Sequence, residues 1–91
     1  MGLGCNNFGR RLDEAATRSV VDAALDAGVD FLDTADVYGE TYSETFLGRV
    51  LEGRRDRVVL ATKFGSKAAE GKQGARPEYV RQALEDGLRR L

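Results

Sequence analysis

Three short apolar runs alternate with three longer stretches whose apolar residues recur every three or four positions. The short runs are residues 1–5, 29–33 and 58–62, the length and character of parallel strands. After the first, residues 6–12 read as a polar loop. Asp13 is placed to cap a helix, and Glu14 favours its positive end. Val20, Val21, Ala24 and Leu25 repeat at four-residue spacing and give that helix one apolar face. Gly28 ends it where a left-handed residue is wanted. Before the third run, Phe46, Leu47, Val50 and Leu51 give a second helix face, stopped by Gly53. Thr41-Tyr42-Ser43-Glu44 reads as its capping box, with Ser43 as a competing cap. Residues 64–76 form a long connection holding Gly65, Gly71 and Gly74, and such loops are more often functional or mobile. Pro77 opens a third helix, where its missing N–H costs nothing. Val80, Leu84, Leu88 and Leu91 are its expected buried stripe.

Short strands alternating with longer helices mean parallel β-α-β units. Two α/β architectures remain: an open doubly wound sheet and a TIM-type (β/α)8 barrel. Both place ligands and chemistry at the carboxyl ends of the strands. Asp33, Tyr38 and Lys63 fall there. A tyrosine is a poor acid at neutral pH, with a reference pKa of about 10, and a nearby ammonium stabilises its phenolate. A buried ammonium in turn needs a carboxylate. The trio therefore makes sense as Asp33 holding Lys63, and Lys63 tuning Tyr38 as a proton donor. The competing reading is a structural salt bridge at the rim, with Tyr38 packed over it.

Other chemistries find less support. Gly2, Gly4 and Gly9 lack the spacing of a dinucleotide phosphate loop, in which the third glycine follows the second by three and opens a helix. Those glycines allow a tight strand exit, one that could touch a ligand lying over the strand ends. Asp36 and Glu40 flank Tyr38, but the chain has no His and one Cys, so no metal site is expected. Both acids are expected to face water or to cap the helix. The 14 Lys and Arg nearly balance the 15 Asp and Glu, which does not point to nucleic acid. The pairs Arg10-Arg11, Arg54-Arg55 and Arg89-Arg90 read as solvated surface. No apolar run approaches the roughly 20 residues of a membrane span. A lone Cys5 fits a reducing compartment, so a cytoplasmic location is expected.

Several runs together resemble a known family. Phe31-Leu32-Asp33-Thr34-Ala35-Asp36-Val37-Tyr38-Gly39, then Ser43-Glu44-x-x-Leu47-Gly48, then Leu60-Ala61-Thr62-Lys63-Phe64-Gly65 are similar to aldo-keto reductases. Gly2-Leu3-Gly4-Cys5, Arg76-Pro77-Glu78-Tyr79-Val80 and Leu88-Arg89-Arg90-Leu91 agree. The resemblance runs over all 91 residues. It implies the first three βα units of one (β/α)8 barrel domain, incomplete at its carboxyl end. It implies NADPH bound without a Rossmann domain, and reduction of small aldehydes and ketones to alcohols. Tyr38 becomes the general acid, with Lys63 and Asp33 as its partners. Cys5, Asn6 and Asp33 are implied cofactor contacts, and Arg10 or Arg11 could reach the pyrophosphate. The family's catalytic His and its 2′-phosphate site would lie beyond Leu91. A chain of this length alone is therefore expected to be inactive, marginally stable and prone to associate through open sheet edges. A non-catalytic NADPH-binding relative, such as the subunits that attach to potassium channels, would keep the same Tyr and Lys. A different α/β enzyme with a merely structural Asp33–Lys63 pair is the third reading. Oligomeric state is not legible.

Overall fold

The computed structural model describes residues 1–65 and 76–91. The chain runs β1 (Gly2–Gly4), α1 (Glu14–Asp26), β2 (Phe31–Asp33), α2 (Tyr42–Val50), a 3-10 turn (Arg55–Arg57), β3 (Val59–Ala61) and α3 (Pro77–Arg90). The sheet is parallel, in the order β1-β2-β3. Leu3 pairs with Leu32, and Leu32 with Leu60; Gly2, Phe31 and Val59 form the neighbouring row, and Gly4, Asp33 and Ala61 the next. The elements fall where the apolar pattern places them, but each strand is three residues rather than five. These are three βα units of the (β/α)8 barrel type. Most of the long 64–76 connection lies outside the described residues.

Alternation along the strands separates two faces. Leu32 is fully buried, together with Val21 of α1 and Leu47 and Val50 of α2, and Leu3 and Leu60 pack against that cluster. Phe31 and Val59, one position away, stay exposed on the opposite face. The helices therefore cover one side of the sheet, and the other is the barrel's interior side. Asp33 shares the interior parity with Phe31. The loop after β1 is less polar in role than in composition: Phe8 is buried in the core, and Phe8 bridges Leu12.

Helix starts differ from the pattern in one informative case. Asp13 caps α1 as expected, accepting from the Ala16 N–H at 2.8 Å. Thr41 does not cap α2 through its side chain; its φ is 79°, left-handed. Ser43 and Glu44 lie inside the helix and point into the protein, where both are buried. The box is not formed because both side chains have buried partners across the fold.

The stripe of α3 is also displaced by one position. Tyr79 and Gly87 are buried and Ala83 is half-buried, whereas Leu84 and Leu88 are 62% and 71% exposed. Leu91 packs against the core cluster. The reason is steric. A Cβ at Gly48 of α2 would overlap the Arg90 carbonyl oxygen of α3, so the two backbones touch there. That contact and Tyr79 set the rotation of α3. Leu84 and Leu88 then line a cleft of about 490 Å³ beyond β3, with Leu60 and Phe64. Among the described residues, no helix is long and apolar enough to cross a membrane.

The close approach at Gly48 yields a test. Alanine favours a helix over glycine by about 1 kcal/mol, yet forcing extra volume into a packed contact costs about 1–3 kcal/mol. Gly48→Ala should therefore destabilise the fold by up to about 2 kcal/mol, read as a lower urea midpoint with an unchanged slope.

Candidate active site

Asp33 ends β2 on the interior face, and Lys63 lies two residues beyond β3. The ladder explains their meeting. The Thr34 N–H donates to the Ala61 carbonyl at 2.8 Å, and the Asp36 N–H to the Lys63 carbonyl at 3.0 Å. Pairing thus runs past the named strands and holds the two exits side by side. Lys63 Nζ donates to Asp33 Oδ1 at 2.8 Å and to the Thr34 carbonyl at 2.9 Å. The same ammonium lies 5.0 Å from the centre of the Tyr38 ring. All three predicted residues converge on one point at the carboxyl edge of the sheet.

The hydrogen bond to Asp33 raises the Lys63 pKa above the ordinary 10.5, against the opposing effect of desolvation; the Tyr38 side chain adds a smaller push upward. Within these 91 residues the Asp33 side chain is 45% exposed, and that of Lys63 49%. Both face the interior side of the sheet, which no helix covers among the described residues. At that exposure the ion pair contributes about 0.2–1 kcal/mol, and its importance lies in geometry.

Behind the trio is a layer of buried polar side chains. Ser43 Oγ donates to the Cys5 carbonyl at 3.0 Å and lies 2.8 Å from Thr34 Oγ1. A hydroxyl has a single proton, so Thr34 is the donor to Ser43. Glu44 is 1% exposed. Its Oε1 accepts from Thr62 at 2.6 Å, and its Oε2 from Arg90 Nε at 2.5 Å. Asp36 does not face water or cap a helix. It is buried, and its Oδ2 accepts from the Tyr79 hydroxyl at 2.6 Å. Burial first, then that bond to a carboxylate, hold the Tyr79 phenol above its usual pKa. Asp36 lies in the turn after β2, in a run of three buried residues with Thr34 and Ala35. Glu40 is exposed. Two arginines from the pairs read as solvated surface are only about a quarter exposed: Arg54, on Asp22 at 2.5 Å, and Arg90, on Glu44.

The expected cofactor contacts divide. Asn6 and Arg10 line a cleft of about 630 Å³ beside Tyr38, with Gly9, Gly39 and Tyr42. Arg11 lines a neighbouring cleft with Leu12 and Phe46 instead. The Cys5 side chain has no exposure. Its backbone is committed as well: the N–H goes to the Asp33 carbonyl at 2.9 Å, and the carbonyl accepts from Phe8 and Ser43. Burial pushes the Cys5 thiol up to about 11.

With this geometry in place, the family is decided. The description "Aldo/keto reductase family" matches residues 1–91, and the chain belongs to that family. It is 34% identical, over its full length, to the uncharacterized oxidoreductase YqkF of Bacillus subtilis (strain 168), of which it covers 30%. Its structure superposes on the holo form of the aldo-keto reductase AKR11C1 from Bacillus halodurans with a TM-score of 0.84 and 40% identity, covering 100% of this chain and 31% of the other. For PA4992 of Pseudomonas aeruginosa the TM-score is 0.82 and the identity 34%, covering 99% and 36%. The chain thus spans about a third of the length of the relatives it matches.

Two measurements test this arrangement. Because thiol reactivity follows the thiolate fraction, Cys5 should react with an aromatic disulfide at least about a hundredfold more slowly in the folded protein than in urea. For Lys63, a raised folded pKa means that stabilisation is complete below the ordinary lysine value and lost as pH rises through the folded one. Lys63→Met should therefore cost about 0.2–1 kcal/mol near neutral pH. That difference from the parent should shrink above about pH 10.5, in chemical denaturation series run at fixed ionic strength.

Proposed function

We propose that these residues serve an NADPH-dependent reduction of small aldehydes and ketones to alcohols. The observation that carries the reading is the Lys63 ammonium, held by Asp33 and lying against the Tyr38 ring at the sheet's carboxyl edge. Tyr38 is the general acid: its hydroxyl gives a proton to the carbonyl oxygen as the carbon receives a hydride. Lys63 stabilises the phenolate left behind, and Asp33 keeps the ammonium charged and aimed. Proton and hydride together account for the two hydrogens of the alcohol. Tyr38 regains its proton from water.

The cleft beside Tyr38 fits a dinucleotide in its chemistry. Asn6 offers amide hydrogen bonds and Arg10 a cation for a phosphate. Bound there, reduced nicotinamide supplies the hydride. Asp33, on the interior face, would contact its ribose, as the family resemblance implies. Cys5 takes part by fixing the exit of β1, since its side chain is buried. The family resemblance places a further proton-handling His on a later strand, and these 91 residues contain none. The activity is accordingly assigned to the full-length protein in a cytoplasmic setting.

In the full-length protein, Tyr38→Phe should lower kcat about a hundred- to ten-thousand-fold with NADPH affinity nearly unchanged. The assay is oxidation of NADPH by a simple aldehyde, alongside a fluorescence titration of the cofactor. A parent protein that binds NADPH yet oxidises none with any aldehyde or ketone would instead be a non-catalytic relative.

A further inference from the structure

Tyr79 of α3 touches both loops of the site without reaching the site itself. Its hydroxyl holds the Asp36 carboxylate, two residues before Tyr38. Its ring packs edge-on against Phe64, one residue after Lys63, with centroids 6.0 Å apart and planes at 76°. The same two segments are joined directly by the Asp36 N–H on the Lys63 carbonyl. Tyr38 and Lys63 therefore approach each other on two short loops that share one support.

That support has little redundancy. Oδ1 of Asp36 is buried without a hydrogen-bond partner among the described residues, so the Tyr79 hydroxyl is what holds this carboxylate. In front, Lys63 is held by Asp33 and by the Thr34 carbonyl, both at the end of β2. The buried, charge-assisted bond between Tyr79 and Asp36 grips the same loop nearer to Tyr38.

We propose that Tyr79 is a positioning residue: its hydrogen bond to Asp36 and its ring contact with Phe64 set the distance between Tyr38 and Lys63. This rests on the carbonyl reductase reading above. The bond runs from α3 to the loop after β2, so a small rotation of α3 moves the acid and its ammonium relative to each other. Neither Tyr79 nor Asp36 needs to contact substrate for this.

The test uses the full-length protein and the variants Tyr79→Phe, Asp36→Ala and their combination. Tyr79→Phe keeps the ring against Phe64 and deletes only the hydroxyl. Its kcat should fall about tenfold to a hundredfold, the cost of a small misplacement of reacting groups, while the dissociation constant for NADPH stays nearly unchanged. Hydrogen exchange at the Asp36 amide should quicken at least about tenfold, with the Leu32 and Leu47 amides unaffected. Asp36→Ala should reproduce both effects. The double variant should be no worse than the more impaired single one, since the two residues act as one unit. Parental kcat in Tyr79→Phe and Asp36→Ala overturns the proposal. So does quickened exchange throughout the core, with cofactor affinity lost in step or failure of both variants to fold, because the contact would then be structural only. Tyr38→Phe separates the two ideas. If it retains full activity, the reductase reading is wrong; if it is inactive while Tyr79→Phe is normal, only the positioning role fails.

Discussion

Two adjacent side chains in the first turn of α2 hold the exits of all three strands. Ser43 binds the carbonyl after β1 and the threonine after β2; Glu44 binds Thr62, after β3, and Arg90 at the end of α3. A carboxylate at 1% exposure is costly to desolvate, and removing one partner of such a pair costs about 3–5 kcal/mol. Here Arg90 and Thr62 satisfy both oxygens. Such a pair need not be more stable than an apolar one in its place. Its contribution is specificity: hydrogen bonds have direction, and these fix the heights of three strand ends relative to one helix. Asp33, Tyr38 and Lys63 stand on those ends. The exposed trio is thus held from beneath by contacts that solvent does not screen.

The layout of strands and helices was legible because period-two and period-four patterns are set by burial, and burial dominates the fold. Asp33, Tyr38 and Lys63 were legible because a parallel α/β sheet gathers its chemistry at one edge. Other features were misread for identifiable reasons. Ser43 and Glu44 have the composition of a capping box, and only the fold reveals that their partners come from other elements. The α3 stripe was read from the leucines, yet Tyr79 and Gly87 are the buried positions, and backbones touch at Gly48. Asp36 had no local signal: it lies in the turn after β2, where strand alternation has ended and Ala35 beside it is buried as well. Tyr79 had none, since nothing local says that a helix tyrosine meets a loop carboxylate 43 positions away.

The Asp33–Lys63 pair stands on the barrel's interior face, which three strands alone leave open. Its ammonium also takes the Thr34 carbonyl, a backbone atom fixed by the ladder. Lys63 is therefore located by backbone as much as by charge, and its position should be insensitive to salt even where its energy is not.

The segment that leaves Tyr38 shows what that rigidity requires. Gly39, Glu40 and Thr41 have φ values of 58°, 55° and 79°, three left-handed residues in a row, two of them not glycine. Each non-glycine residue there costs about 1–2 kcal/mol. The turn persists because its surroundings over-determine it. A Cβ on Gly39 would collide with the Phe8 carbonyl and the Gly9 backbone. The Tyr42 N–H returns to the Gly39 carbonyl, and the Ser43 N–H to the Tyr38 carbonyl. That same turn lifts Tyr38 to the rim while setting its two supporting side chains directly below.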